Sequence, residues 1–190
     1  MKSLIWFVAA VCMVTNFSPA HAQAPNAYAN TEVKTANGDL MLLGHCEMAL
    51  LKQGAFQQWF VPGFTSYQPD SFITRLLHPL LKNKTIEIFL GTWCGDSRRE
   101  VPRMLKMLES SGFDIQKVKL LFVSNAADMY KQSPQHEESG KNIKRVPTLI
   151  VYNQQIEIGR IIEYPVASLE KDLLSILKGE KYVPNYSQLR

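Results

Sequence analysis

The sequence predicts an α/β fold built on a central mixed sheet with helices on both faces. Two observations predict it. Short apolar segments alternate with helix-spaced segments in the second half of the chain, and the last two apolar segments are separated only by the turn-forming residues 153–155. Such alternation indicates parallel strands joined by helical crossovers, whereas the short turn indicates an antiparallel hairpin. We therefore expect both strand orientations in one sheet.

The regular alternation begins at residue 85 and ends near residue 178. We predict strands at 86–90, 118–124, 148–152 and 157–162, and helices at 97–110 and 169–177. The segment 129–142 is polar and predicts a helix or a loop. Together these elements define a core over 85–178, which is followed by a polar tail at 179–190.

The segment 40–84 precedes this core. Its apolar residues recur near helical spacing, with breaks at Gly54, at the turn signal Val61-Pro62-Gly63 and at Pro79. This pattern predicts an N-terminal helical extension.

Residues 1–22 have the three parts of a secretory signal peptide. Lys2 gives the basic end, residues 4–14 are apolar, and Ala20-His21-Ala22 is a small-x-small cleavage site. We expect residues 1–22 to be removed, the protein to be exported to a periplasm or beyond the cell, and residues 23–39 to form a flexible lead-in. No later segment approaches the ~20 apolar residues that a membrane-spanning helix needs, so we expect no span in the mature chain.

Charge and cysteine content narrow the classes of function. The formal net charge is only +4, which is too small to argue for nucleic acid as a partner. Cys12 leaves with the leader, whereas Cys46 and Cys94 remain. No cluster of His or Cys accompanies them, so we expect neither a metal nor an organic cofactor.

The motif Trp93-Cys94-Gly95-Asp96-Ser97 directly follows the predicted strand 86–90. This position places Cys94 at a strand-to-helix junction, where the free backbone amides and the helix dipole favour an anionic sulfur. Val146-Pro147-Thr148 stands directly before a later predicted strand. With Pro102 inside the intervening helix, this order of cysteine, helix proline and second proline resembles the thioredoxin superfamily over residues 85–177.

The resemblance implies a thioredoxin-like fold and a substrate-binding groove. In that family the segment matching Val146-Pro147-Thr148 contains a cis-proline, and its backbone abuts the reactive cysteine and pairs with an extended substrate. The resemblance therefore assigns Cys94 as the nucleophile, and Val146, Pro147 and Thr148 as substrate-binding residues. Trp93, Gly95 and Asp96 are expected to shape the approach to the sulfur.

One residue departs from the family's usual Cys-x-x-Cys centre. Ser97 stands at the second position, and a hydroxyl cannot form a disulfide, although it can donate a hydrogen bond to the sulfur of Cys94. We therefore expect a monothiol thiol–disulfide oxidoreductase that acts on protein thiols or disulfides. An external, low-molecular-weight thiol would release the mixed disulfide.

Two alternatives stay open at this point. Cys46 has apolar neighbours and is interpreted as a core residue, or else it resolves the mixed disulfide in place of the missing cysteine. The whole chain is alternatively a non-catalytic binding or accessory module on a thioredoxin fold, because a fold alone does not establish a function.

Overall fold

The computed structural model describes residues 31–35 and 37–188, so the predicted signal peptide lies outside the described residues. The helices and strands in this part of the chain are β1 (Thr31–Lys34), β2 (Leu40–His45), α1 (Gln57–Ser66), α2 (Ser71–Leu80), β3 (Lys84–Leu90), α3 (Gly95–Ser110), β4 (Lys119–Phe122), β5 (Thr148–Asn153), β6 (Ile156–Ile162) and α4 (Leu169–Lys178). Among these described helices, none is long and apolar enough to cross a membrane.

The strands form one mixed sheet in the order β1-β2-β4-β3-β5-β6. The neighbours β3 and β4 are parallel and are joined through α3, whereas β5 is antiparallel to both β3 and β6. A parallel crossover followed by an antiparallel hairpin and a closing helix is the arrangement that the sequence predicts. The thioredoxin-like α/β class and the mixed sheet are thus confirmed.

The N-terminal extension is less helical than its spacing suggests. Leu40–His45 is a strand and not a helix, because it lies between β1 and β4 with both of its faces covered. A short, fully buried apolar run fits the helical and the strand period equally well. Thr31–Lys34 pairs with this strand, so that part of the expected flexible lead-in is ordered as β1.

The helix α1 packs along α3. It also runs through Val61-Pro62-Gly63, where the sequence predicts a turn. Pro62 and Gly63 lie inside α1, and a Cβ atom added at Gly63 would lie 3.1 Å from the ring of Pro102 in α3. Glycine at this position therefore lets the two helices approach closely. As a result, the extension directly supports the helix that follows Cys94.

The two faces of the sheet are covered differently. Side chains from α1, α2, α3 and α4 share one large hydrophobic cluster with Ile86, Ile88 and Leu90 of β3. Phe89 points to the opposite face, where a smaller cluster contains no residue of these helices. The expectation of helices on both faces is therefore corrected for the described chain.

The segment 124–147 covers this second face as a loop with one short 3-10 turn at Ala127–Met129. Helical backbone is excluded at several of its residues, because Lys131, His136 and Asn142 have φ values of 58°, 55° and 53°. The segment is anchored to the sheet through the buried carboxylate of Glu87, which accepts hydrogen bonds from the Lys141 ammonium and from the Tyr152 hydroxyl.

Candidate functional site

Cys94 lies where the sequence predicts it, between the end of β3 and the start of α3. It is the N-cap residue of α3, with extended backbone at φ −87° and ψ 125°. Its N–H donates to the carbonyl of Gly91 at 2.9 Å, and its carbonyl accepts from the N–H of Arg98 at 3.0 Å. The side chain is half-buried at the positive end of the helix dipole.

The second predicted part of the site lies beside the thiol. The Val146–Pro147 peptide bond is cis, as the family resemblance implies, and the Cys94 Sγ donates to the Val146 carbonyl at 3.3 Å. The segment is held on both sides, because the Thr148 hydroxyl donates to the Arg145 carbonyl at 2.7 Å and the Pro147 carbonyl accepts from the N–H of Glu163. These bonds fix the segment next to the sulfur.

The backbone N–H of Val146 has no acceptor in the described part of the chain. It lies in the same residue as the carbonyl that contacts the thiol. Val146 itself is only 2% exposed, and an unpaired backbone N–H at a buried residue is uncommon, because backbone groups of folded proteins are nearly always paired.

Ser97 is fully buried, and its hydroxyl accepts a hydrogen bond from the N–H of Gly91 at 3.2 Å. The predicted hydrogen bond from Ser97 to the sulfur of Cys94 is not among the contacts of the described residues. The side chain is turned toward the end of β3, where it satisfies a buried backbone donor. Its observed role is to support the turn that carries Cys94.

Trp93 forms one wall beside the thiol. Its Nε1 donates to the Val123 carbonyl at 2.8 Å, and its ring contacts that of Tyr130 with a centroid distance of 5.8 Å. A Cβ atom at Gly91 would lie 2.5 Å from the indole, so only glycine leaves room for this orientation of the ring. The indole ring is thus held by Val123 and Tyr130 and packs closely against Gly91.

Gly95 and Asp96 lie at the exposed start of α3. Gly95 has open space around its Cα, so it leaves the approach to the sulfur clear. The Asp96 carboxylate lies 2.7 Å from the guanidinium of Arg99, which offsets its negative charge near the thiol. The side-chain partner of Asp96 is thus Arg99 and not Cys94.

The structure does not bring Cys46 to Cys94. Cys46 is 1% exposed and belongs to the large cluster on the helix-covered face, whereas Cys94 packs against the small cluster on the opposite face. The N–H of Cys46 donates to Leu120, which pairs with the middle of β3, while Cys94 follows the end of that strand. Both cysteines are in the thiol form.

The sequence interpretation missed a shallow surface cavity, widely open to solvent and of about 530 Å³, formed by the loop beside the site. Tyr130, Lys131, Ile143 and Lys144 contribute to its lining. The Lys131 ammonium lies 4.9 Å from the centre of the Tyr130 ring and donates to the carbonyl of Lys144 at 2.8 Å. The sequence offers one indication of this cavity: Tyr130 stands directly before Lys131 in an otherwise polar segment. No cluster of potential metal ligands occurs in the described ranges.

No family model and no curated protein matches this chain. Among solved structures, a protein of unknown function from Pseudomonas aeruginosa is similar at 15% identity and a TM-score of 0.52, over 72% of this chain and 93% of the other. An HIV epitope-scaffold is similar at 15% identity and the same TM-score, over 73% and 94% of the two chains. A yeast mitochondrial 1-Cys peroxiredoxin has 25% identity over 58% of this chain and 95% of its own, with a TM-score of only 0.35. The first two similarities establish a shared α/β fold and leave the function to be argued from the site.

Proposed function

We propose that this protein carries out monothiol thiol–disulfide exchange, with Cys94 as the nucleophile. The observation that carries the proposal is the position of the Cys94 Sγ, half-buried at the start of α3 and 3.3 Å from the carbonyl that precedes cis-Pro147. Attack on a disulfide requires a sulfur that is both accessible and stabilised as an anion. The start of a helix favours the anion, and Gly95 keeps the approach open.

The proposed reaction has two stages. In the first, Cys94 loses its proton, its sulfur bonds to one sulfur of a partner disulfide, and the other partner sulfur leaves as a thiolate that takes up a proton. In the second, one small thiol attacks the Cys94 sulfur and releases the partner dithiol, and another small thiol then frees Cys94. The net result is one partner disulfide reduced and two small thiols oxidised to their disulfide.

The backbone beside cis-Pro147 supports a peptide as the partner. The N–H of Val146 has no acceptor in the described chain, and its carbonyl contacts only the thiol, so an extended segment that reaches this buried residue would find one donor and one acceptor to pair with. Thr148 holds this segment in place through Arg145. We propose that the partner's disulfide reaches Cys94 while its backbone pairs with Val146.

External thiols and not Cys46 are proposed to complete the cycle. Cys46 would have to leave the large core cluster to reach the mixed disulfide, and its burial stabilises the fold. We also propose that the protein acts after export, where disulfides persist in partner proteins, because residues 1–22 have the pattern of a signal peptide.

Mixed-disulfide formation tests the proposal. The reduced protein is mixed with a small peptide disulfide, quenched with acid and analysed by intact-mass spectrometry, alongside Cys94→Ser and the matched control Cys46→Ser. We expect one peptide adduct on the wild type and on Cys46→Ser, and none on Cys94→Ser. An adduct that persists on Cys94→Ser, or no adduct on any protein, would overturn the exchange function.

A non-catalytic binding module is the second candidate. It is favoured by the Cys94 thiol already donating to the Val146 carbonyl, with no second cysteine beside it in the described chain. This candidate predicts that the wild type binds the reduced peptide but forms no adduct with the oxidised one. Isothermal titration with the reduced peptide distinguishes it from a protein that does neither.

A further inference from the structure

The loop 124–147 places lysine side chains on the same face of the sheet as Cys94. Trp93 and Cys94 pack against the same small cluster as Ile143, and Trp93 also contacts Tyr130. Tyr130 and Ile143 in turn line the 530 Å³ cavity. The cavity is therefore on the same side of the sheet as the sulfur, and it shares with Cys94 the small cluster to which Ile143 belongs.

Two lysines of this cavity have no carboxylate partner in the described chain. Three other cations near it are paired, as the Lys141, Arg145 and Arg160 side chains contact Glu87, Glu163 and Glu157. Lys131 instead lies over an aromatic ring and donates to a backbone carbonyl, and Lys144 is exposed with no ion pair. Their positive charges are thus available to a ligand.

The acidic residue of the same cavity is already engaged. The Glu138 carboxylate accepts from the N–H and the hydroxyl of Ser133, at 3.0 and 2.6 Å, and contacts His136 at 3.3 Å. Burial alone would raise the pKa of Glu138, but these hydrogen bonds outweigh it and the pKa is lowered. The adjacent Glu137 carboxylate also contacts the Ser133 hydroxyl, and neither Glu137 nor Asp128 is part of the cavity lining. A partner's cation would therefore find the lining carboxylate occupied, whereas a partner's carboxylate would find two ammonium groups.

We propose that the cavity formed by Tyr130, Lys131, Ile143 and Lys144 selects partner segments that carry Asp or Glu beside their disulfide. The aromatic and aliphatic walls contact the stem of the incoming segment, and the two lysines pair with its carboxylates. This inference rests on the proposed exchange function and adds a substrate class to it. Because both lysines are at the surface, their attraction acts mainly on the rate of encounter.

Exchange kinetics with charged peptides test this inference. Three peptides of otherwise identical sequence carry one cysteine as a mixed disulfide with thionitrobenzoate, flanked by Glu, Gln or Lys. Attack by Cys94 forms the protein–peptide disulfide and releases the yellow thionitrobenzoate anion, whose absorbance gives the second-order rate constant. We expect the Glu peptide to react about tenfold faster than the Lys peptide at low ionic strength, and the ratio to approach one near ~1 M salt, where the Debye length is about 3 Å.

Charge variants assign the preference to the cavity. Lys144→Glu is expected to abolish the preference for the Glu peptide, and Lys131→Gln to reduce it. Lys117→Glu is the control, because it makes the same charge change as Lys144→Glu at an exposed residue that follows the far end of α3. It is expected to leave the ratio unchanged within twofold.

The outcomes separate this inference from the function on which it rests. Equal rates for the three peptides, or a ratio that Lys144→Glu and Lys117→Glu lower equally, would overturn the acidic-segment selection and leave the exchange function intact. Failure of the wild type to release thionitrobenzoate from any peptide would overturn the exchange function itself. A preference lost only in the cavity variants, which retain reaction with the Gln peptide, supports the inference.

Discussion

At the scale of single residues, Ser97 decides how the thiol can be used. Its hydroxyl accepts from the buried N–H of Gly91, so the position contributes a structural hydrogen bond and no second sulfur to the motif of Cys94. A cysteine at this position would lie one helical turn from Cys94, at a separation that suits a disulfide. The residue therefore supports the turn, and under the proposed function it makes the exchange a monothiol reaction.

We predict that Ser97→Cys forms a disulfide with Cys94 under mild oxidation. The change would also weaken the bond to Gly91, so the reduced variant should lose about 1–2 kcal/mol in free energy of unfolding. Thiol counting with and without oxidant, combined with urea unfolding, measures both effects. Ser97→Ala is the control, since it should lose similar stability without gaining a disulfide. Two titratable thiols persisting at sites 94 and 97 after oxidation would contradict the prediction.

At the scale of elements, the loop 124–147 covers the second face, and it is the loop alternative of the two structures predicted for 129–142. Its anchor is Glu87 of β3, whose buried carboxylate holds Lys141 and Tyr152. Burial and the bond to this carboxylate raise the pKa of the Tyr152 hydroxyl above its ordinary range, which keeps it a donor at neutral pH. The loop is thus tied to the sheet by an ion pair and a neutral hydrogen bond that share one acceptor.

We predict that Lys141→Met destabilises the protein by about 1–3 kcal/mol, because it leaves the buried Glu87 carboxylate without its closest cation. The expected loss of stability is smaller than for a fully buried ion pair, because Lys119 and Tyr152 still contact the Glu87 carboxylate. Urea unfolding measures the loss. Lys117→Met removes an exposed ion pair with Asp114 and should cost less than about 0.5 kcal/mol. Equal losses for the two variants would show that the anchor contributes nothing beyond a surface pair.

The sequence predicted some elements and failed on others for physical reasons. The helix at 97–110 was predicted well because its apolar residues keep helical spacing over several turns and Gly112 follows its end, and the strand at 86–90 because it is short, rich in isoleucine and closed by Gly91. The helix predicted to begin at Leu40 was wrong. Leu40–His45 is a strand because it pairs with β1 and β4, and local spacing cannot show this pairing. The contact of Cys94 with Val146 came from the family pattern, whereas Lys131 and Lys144 converge only through the path of the loop.

At the scale of the whole molecule, the extension and the predicted core form one unit. Leu42 of β2 and Phe60 of α1 are buried in the same cluster as Leu120 of β4. The strand β2 also pairs directly with β4 inside the sheet. A boundary near residue 84 therefore has no counterpart in the packing, and the two parts are expected to unfold together.

We predict that Leu42→Ala costs about 2–5 kcal/mol of unfolding free energy, as much as Leu120→Ala, because both side chains leave a cavity in one core. Leu76→Ala, at a 40% exposed position of α2, should cost clearly less. Denaturant melts followed by far-UV circular dichroism and tryptophan fluorescence provide the measurement. A Leu42→Ala melt with a separate early transition would show that the N-terminal part unfolds independently.

The helix-free face is also where the structure is expected to open locally most readily. Residues 124–147 shelter the cluster against which Trp93 and Cys94 pack, and few of their amides are tied into regular hydrogen-bond ladders. Backbone amides without such ladders exchange with solvent after small local openings, whereas amides of a central strand exchange only when the fold opens. Hydrogen–deuterium exchange is therefore expected to be faster in residues 124–147 than in β3 and β5.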